Sequence, residues 1–325
     1  MELTLREGIR KVLFDEMGKN QDMFLIGESM HYTGSLFSKV INEDFYRTYG
    51  KGRVLDCPVA EDAIIGMAFG GALAGMTAVA EIWAADFLLC VANELVNTIA
   101  KWRYQHRYPN PIHLVVRAPM GLFVNGGGPE HVQCTESWLH NSPGLTIVAP
   151  SSVEDAVGLL RTSLRCGDPV VFLEHRQVYD VKADIDYASG EEIPIGKGRV
   201  VREGKDITIV AWAMMQRRAQ KAAELLAAKG ISAEIIDPRT IKPMDYEMII
   251  ASAQKTGRLI VAEEAHQTGS IAGEIITRVR EAGVEGDFQR MTMPDIPYHY
   301  VIEYEASEIP TAEEIAERAE KMVRG

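Results

Sequence analysis

Several common binding signatures are missing from this sequence of 325 residues. No strand-like segment is followed by G-x-G-x-x-G and no G-x-x-x-x-G-K-[ST] occurs, which disfavours a dinucleotide-binding dehydrogenase and a P-loop enzyme. H-E-x-x-H and C-x-x-C are also absent, so no zinc site built from side chains is indicated. The run of three glycines at 126–128 predicts a turn rather than a nucleotide-binding loop.

Cysteine and long apolar runs are equally scarce. Four cysteines lie far apart, each in or beside an apolar stretch, so we expect reduced thiols in the core and no disulfide framework. No 18-residue apolar run lacks a charge, and the amino-terminal segment MELTLREGIRKVLFDEMG carries charges throughout. The sequence therefore predicts neither a membrane span nor a signal peptide, and we expect a cytoplasmic protein.

The overall composition is that of an ordinary globular protein, with 46% apolar and 25% charged residues. A formal charge of -12 and an isoelectric point near 5.2 disfavour binding to nucleic acid or to an anionic membrane, because both would repel the protein. The length supports two hydrophobic cores.

Short strand-like runs alternate with longer helical patterns along most of the chain, which is typical of parallel sheets with crossover helices. In the first half the strand-like runs are MFLIGES, RVLDCP, AVAEIW, IHLVVRAP, LTIVAP and PVVFLEH, and the helix-like segments include 60–75 and 86–103. The pattern breaks into a polar connection at about 176–204. A second alternation follows, with strands ITIVAW, ISAEIIDPRT and GRLIVAEEA, helices at about 214–229, 244–256 and 270–282, and a terminal acidic helix. We predict an α/β fold with two domains, at 1–190 and 191–325, each a mainly parallel sheet with flanking helices.

The segment VLDCPVAEDAIIGMAFGGALAG places Glu61 and Asp62 in the first turn of an apolar helix that directly follows a strand. Open α/β sheets bind ligands at this end of their strands. Acidic residues in a first helical turn also stabilise the helix dipole, so the pattern alone leaves a binding role and a capping role open.

Several separated motifs give the chain a family resemblance over nearly its whole length. They are GES at 27–29, CPVAEDAIIGMAFGGALAG at 57–75, AEIWAADF at 80–87, GGGPEHVQ at 126–133, HNSPGLTIVAPSS at 140–152, DPVVFLEH at 168–175 and EEAHQTGSIAGEI at 263–275. In their order and spacing the sequence resembles the β subunits of the pyruvate, branched-chain 2-oxo acid and acetoin dehydrogenases.

The resemblance implies a pyrimidine-binding domain followed by a transketolase-type C-terminal domain, in an α2β2 heterotetramer that uses thiamine diphosphate. In this family the α subunit holds the diphosphate through magnesium with a G-D-G motif, and this chain contains no G-D-G. The implied partners are therefore an α subunit and a lipoyl-bearing dihydrolipoyl acyltransferase.

Matched position by position, the resemblance also implies site residues. Glu61 would hydrogen-bond a ring nitrogen of the cofactor's aminopyrimidine, Phe87 would pack on that ring, and Glu28 and Val59 would lie on the cofactor side. His131 would act in the passage of the acyl group to a lipoyl thiol, as a proton donor or as a positive charge. Where the family commonly has H-S-Q, this chain has His-Val-Gln at 131–133.

Two further regions allow more than one interpretation. The resemblance implies a structural potassium ion held by main-chain carbonyls of Val115, Ser163, Leu164, Cys166 and Asp168, whereas the residues alone fit a plain helix-to-strand turn. The stretch EEAHQTGSIAGEI carries Glu263, Glu264 and His266 but no nucleophile, so we interpret these residues as structural or interface groups. The last 25 residues hold seven acidic and three basic side chains, which fits either a docking surface for the acyltransferase or a solvated helix face.

The preferred function is that of the β subunit of a thiamine-diphosphate-dependent 2-oxo acid dehydrogenase acting on pyruvate or a branched-chain 2-oxo acid. The alternatives are an acetoin dehydrogenase β subunit, the carboxyl-terminal half of a split transketolase, and a non-catalytic α/β binding or assembly subunit. Substrate choice stays open, because pockets of this kind differ by small apolar increments.

Overall fold

The structure is a computed structural model that describes residues 1–30, 39–122, 127–301, 304 and 306–325. The chain divides into two compact units. The first contains the described residues up to 122 and those from 130 to 195. The second contains the short stretch 127–129 and the described residues from 196 to 325. The boundary placed at 190/191 from the sequence stays a prediction. Along the described ranges, no helix has the length and apolar character needed to cross a membrane.

Parallel strands form the sheet of the first unit. The strands are β1 (Glu2–Thr4), β2 (Met23–Glu28), β3 (Val54–Cys57), β4 (Thr77–Glu81), β5 (Leu114–Met120), β6 (Thr146–Val148), β7 (Val170–His175) and β8 (Lys182–Asp184). Within this unit the parallel order is β6-β7-β5-β4-β2-β3, and β1 pairs antiparallel with β8 apart from it. Each sequence-predicted strand of this half is confirmed.

Helices flank this sheet. They are α1 (Leu5–Lys19), α2 (Glu43–Tyr49), α3 (Glu61–Leu73), α4 (Trp102–His106), α5 (Glu136–His140) and α6 (Val153–Arg165). Helix α1 begins with a capping box, in which the Thr4 hydroxyl accepts from the Glu7 N–H and the Glu7 carboxylate accepts from the Thr4 N–H. It packs on α6 at Gly8, where a Cβ would lie 2.9 Å from Val157 Cγ2. The predicted helix at 60–75 is confirmed as α3.

The prediction of one helix over 86–103 is wrong. The chain there forms a 3-10 helix (Ala85–Leu89), a π-helix (Asn93–Ile99) and then α4. Valine, threonine and asparagine in this stretch are weak helix formers, so tertiary contacts decide the backbone. Leu95 and Ile99 are buried, and the Trp102 ring meets Phe69 edge to face at 5.2 Å between centroids.

The second unit repeats the layered arrangement. Its strands are β9 (Arg199–Arg202), β10 (Ile207–Ala211), β11 (Ala233–Asp237), β12 (Thr240–Lys242), β13 (Arg258–His266) and β14 (Asp287–Met293), and its helices are α7 (Ala213–Ala227), α8 (Tyr246–Thr256), α9 (Ile271–Glu281) and α10 (Ala312–Arg324). One sheet has the order β14-β13-β10-β11-β9, in which only the β9 pairing is antiparallel within the described part of this unit. The predicted strands and helices of this half are confirmed, and α10 packs on α7.

Candidate functional site

Two acidic residues predicted for the site lie at the carboxyl edge of the first sheet. Glu28 is the last residue of β2 and stands opposite Cys57 at the end of the neighbouring strand β3. The turn 58–60 then leads into α3, whose first residue is Glu61. Because both strands are parallel, their ends deliver the two carboxylates to the same edge. Val59 in the turn is 78% exposed.

The two acids in the first turn of α3 have different surroundings. Exposed Asp62 accepts a hydrogen bond from the Ala63 N–H at 2.9 Å, as a local helix-start contact. Glu61 is half-buried, and within the described part of the chain its carboxylate accepts no hydrogen bond. The local contact at the start of α3 is made by Asp62.

Glu28 is a carboxylic acid in an unfavourable setting for charge. Its side chain is 6% exposed, and burial together with the negative charges of Glu61 and Glu81 raises its pKa to about 7. Near neutral pH this group therefore exchanges between a hydrogen-bond donor and an acceptor. Perturbed carboxyl groups of this kind cluster at functional sites.

Phe87 and His131 are brought together by the fold. Phe87 lies in the 3-10 helix that follows β4, three residues after Ala84, whose φ is +82°. A positive φ is strained for alanine, and such strain often marks functional turns. The Phe87 ring meets the His131 imidazole edge to face, with centroids 5.1 Å apart and planes at 85°. Both side chains are half-buried.

Side chains with no sequence signature surround the His131 segment. Asp86 Oδ1 accepts from the Gln133 side-chain Nε2 at 2.8 Å and from the Gln133 N–H at 3.3 Å. Arg176 Nη1 donates to the carbonyls of His131 and Gly121, each at 2.7 Å. Burial raises the pKa of Asp86. Asp86 directly precedes a predicted site residue, but nothing in the sequence pairs it with Gln133.

A buried ion network lies across β4, β5 and β7. Arg117 binds Glu174 through two hydrogen bonds of 2.7 and 2.8 Å, and binds Glu81 at 2.5 Å. The Tyr179 hydroxyl donates to Glu174 at 2.7 Å. Arg117 and Glu174 are fully buried and Glu81 is 1% exposed, so each charge depends on its partners. Glu81 connects this network electrostatically to Glu28.

The predicted potassium ligands lie at two places in the first unit. Ser163 and Leu164 belong to the last turn of α6, where helix carbonyls lack partners within the helix, and Cys166 is its C-cap. The Cys166 thiol contacts the carbonyls of Ser163 at 3.6 Å and of Asp168 at 3.3 Å. Val115 lies in β5, paired with β4 and β7.

In the second unit, the acidic pair at the end of β13 has structural partners. Glu263 accepts a hydrogen bond from the Ala272 N–H at the start of α9, at 3.0 Å. The Tyr298 hydroxyl donates to the Glu264 carbonyl at 3.5 Å, and the His266 Nε2 contacts the Ile296 carbonyl at 2.8 Å. These contacts support a structural role for the segment.

The four cysteines are free, but the expectation that all of them lie in the core is wrong. Cys134 is buried and Cys57 is half-buried, whereas Cys90 and Cys166 are exposed. The reason is local: Cys90 follows the last turn of a 3-10 helix and Cys166 follows α6, and such terminal positions face solvent.

Comparison with known proteins identifies both domains of the chain. The family model "Transketolase, pyrimidine binding domain" matches residues 1–182, and "Transketolase, C-terminal domain" matches residues 196–315. The chain is 36% identical, over 98% of its length and 86% of the relative, to the mitochondrial pyruvate dehydrogenase E1 component subunit beta-2 of Oryza sativa subsp. japonica. It is 38% identical, over 90% of its length and 89% of the relative, to the 2-oxoisovalerate dehydrogenase subunit beta of Bacillus subtilis (strain 168).

Among solved structures, a split-gene transketolase described as an inactive β4 tetramer superposes with a TM-score of 0.82, covering 99% of both chains at 22% identity. That identity shows the fold alone. Fold and family models together define a transketolase-type chain with a pyrimidine-binding and a C-terminal domain. The chain belongs to the family of β subunits of the E1 component of 2-oxo acid dehydrogenases, and the resemblance in its motifs is confirmed.

Proposed function

We propose that this chain is the β subunit of a thiamine-diphosphate-dependent dehydrogenase that decarboxylates pyruvate or a branched-chain 2-oxo acid and passes the acyl group to a lipoyl domain. The names of its relatives, which are pyruvate and 2-oxoisovalerate dehydrogenase subunits, support this activity over the acetoin and transketolase alternatives. The structural observation that best supports this proposal is at the carboxyl edge of a parallel sheet. There the half-buried Glu61 interacts with Glu28, whose pKa is raised.

The residues at this edge fit a pyrimidine ring. Thiamine diphosphate, when bound, supplies the electron acceptor that decarboxylation of a 2-oxo acid requires. Glu61 would hold a ring nitrogen by a hydrogen bond and set the protonation of the ring, since its carboxylate has no competing contact among the described residues. Phe87 would pack on the ring, and Glu28 and Val59 would flank it.

His131 would serve the second half of the reaction. Its imidazole borders Phe87 at 5.1 Å between ring centroids, so one face of the site carries both an apolar ring and a titratable group. A histidine here can donate a proton, or supply positive charge, as the acyl group passes to a lipoyl thiol. Neither task requires a serine at position 132.

The other half of the site would come from an α subunit. The sequence has no G-D-G, so the magnesium ion and the diphosphate would be held by α in an α2β2 heterotetramer. The lipoyl-bearing acyltransferase would be the acyl acceptor. The α10 helix as a docking surface for the acyltransferase, and a cytoplasmic location, stay predictions.

A structural potassium ion is a separate part of the proposal. Carbonyl oxygens are suitable ligands for a hard cation, and those of Ser163 and Asp168 lie 3.6 and 3.3 Å from the Cys166 sulfur. Leu164, Cys166 and Val115 would complete the set. If the ion binds, the thermal midpoint of unfolding should be higher in potassium chloride than in sodium chloride of equal ionic strength. Equal midpoints in the two salts would show that no specific potassium ion stabilises the fold.

The activity itself is tested by co-expressing the chain with its α-type partner. The complex, supplied with thiamine diphosphate and magnesium, is screened with pyruvate, branched-chain 2-oxo acids and acetoin against an artificial electron acceptor. We expect reduction of the acceptor with a 2-oxo acid and no activity from either chain alone. Transfer of two-carbon units between sugar phosphates, without consumption of a 2-oxo acid, would favour the transketolase alternative.

A further inference from the structure

The segment 131–133 is anchored at each of its residues. The His131 carbonyl accepts from Arg176, the Val132 side chain is fully buried, and Gln133 donates twice to Asp86. The Gln133 carbonyl also accepts from the Gly121 N–H at 3.4 Å. Arg176 also bridges the carbonyls of Gly121 and His131, which joins the residue after β5 to the start of this segment.

Asp86 links this loop to the candidate cofactor face. It directly precedes Phe87, whose ring meets the His131 imidazole. The Asp86 side chain is 6% exposed, and a buried carboxyl group is costly unless it is hydrogen-bonded. The Asp86 carboxylate accepts two hydrogen bonds from Gln133, so the residue next to Phe87 holds the residue two positions beyond the histidine.

We propose that Asp86 and Arg176 are positioning residues that fix His131 against Phe87. In this chain the buried Val132 and the bonded Gln133 hold the segment in place of a serine. The inference rests on the proposed function, because it gives the anchored imidazole a part in acyl transfer. It goes beyond that function in assigning roles to two residues outside the predicted site.

A purely structural role and a positioning role differ in what they change. A structural anchor affects stability and every rate together, whereas a positioning residue changes the step that His131 serves. That step is isolated by the ratio of two rates in the α2β2 complex: acyl transfer to a lipoyl domain, and reduction of an artificial acceptor. Displacement of a catalytic group by about 1 Å can cost a hundredfold in rate.

The central variant is Asp86→Ala, which removes the acceptor for both Gln133 donors. We expect the ratio to fall by about ten- to a hundredfold. Asp86→Asn keeps an acceptor oxygen and should restore the ratio to within about threefold of wild type. As a matched control, Asp155→Ala removes another buried acceptor, bonded to Ser152 at 2.7 Å at the start of α6, and should leave the ratio unchanged.

Hydrogen exchange on the isolated chain provides a readout that is independent of activity. Amides of the 130–135 segment should exchange faster in Asp86→Ala than in wild type or Asp86→Asn. If Asp86→Ala does not fold, Gln133→Leu at this half-buried position serves as the test. It loses the side-chain amide and keeps the backbone N–H that donates to Asp86, and it should shift both readouts in the same direction.

An unchanged ratio in the folded Asp86→Ala complex would overturn the proposal. Equal loss in Asp86→Asn would also overturn it, because the acceptor oxygen would then not be the cause. If the wild-type complex consumes no 2-oxo acid, the proposed function fails instead, and the exchange experiment still decides whether Asp86 anchors the loop.

Discussion

The carboxyl groups of Glu28 and Glu61 interact across the ends of β2 and β3, and the charge of Glu61 adds to burial in raising the pKa of Glu28 to about 7. With this pKa, the Glu28 carboxyl is divided between its neutral and its charged form near physiological pH, which suits a group that takes part in acid and base chemistry.

Replacement of Glu61 by glutamine should therefore lower the pKa of Glu28. The negative charge of Glu61 disappears, while burial and Glu81 remain, so the pKa should stay above the ordinary value of 4.5. Carbon-13 NMR titration of labelled glutamate carboxyls would measure the shift. An unmoved Glu28 pKa would show that the two groups do not interact.

The raised pKa of Glu28 also predicts a pH-dependent stability. The folded state binds this proton more tightly than the unfolded chain, so the added stability is complete below about pH 4.5 and is lost as the pH rises through about 7. From pH 5 to pH 8 the free energy of unfolding should fall further in wild type than in Glu28→Gln. The difference between the two falls should be on the order of 2 kcal/mol.

Urea unfolding at both pH values measures this difference in the isolated chain. Exposed Asp62, as Asp62→Asn, is the matched control and should follow wild type. If the free energy of unfolding changes equally with pH in wild type and Glu28→Gln, Glu28 is not the source of the pH dependence.

Removal of Arg117 should destabilise the first unit strongly. Arg117→Met leaves Glu81 and Glu174 buried without their counter-charge, a loss of about 3–5 kcal/mol for a buried pair. Arg117→Lys keeps a charge but cannot bind Glu174 through two nitrogens, so it should be intermediate. Chemical unfolding of the three proteins gives the order of their stabilities. A wild-type unfolding midpoint for Arg117→Met would show that the buried ion network does not stabilise the first unit.

Much of the fold could be predicted from the sequence because β-branched runs mark the buried parallel strands directly. β2 and β13 show this, since nearly every residue in them is buried. The pairing of β1 with β8 was not predicted. The two strands are too short to leave a sequence pattern, and the paired residues Glu2 and Asp184 lie far apart in the chain. The breaks within 86–103 were not predicted, because helical periodicity cannot distinguish a continuous helix from three short ones.

The site divides in the same way. Glu61 and Asp62 stood out together because they follow a strand and begin a helix, and the family resemblance then singled out Glu61. Asp86, Arg117 and Arg176 did not, because their partners lie 47, 57 and 55 residues away and only the folded sheet brings them together. Whether the predicted site residues bind the cofactor stays a prediction.

Phe87 should contribute to cofactor affinity through its ring. Aromatic pairs are worth about 0.5–1.5 kcal/mol beyond burial, so Phe87→Leu should weaken thiamine diphosphate binding by about two- to tenfold in the α2β2 complex. Phe87→Tyr keeps the ring and is the control. Calorimetric titration measures both, and equal affinity for Phe87→Leu and wild type would remove the stacking role.

The central claim is that Glu61 is the carboxylate this chain contributes to a thiamine diphosphate site. The most direct measurement is 2-oxo acid decarboxylation by the α2β2 complex carrying Glu61→Ala, with assembly and circular dichroism recorded on the same sample. We expect near-complete loss of decarboxylation with assembly and fold intact. Retained activity, with a stability change of only about 1 kcal/mol as expected for a helix-dipole residue, would contradict it.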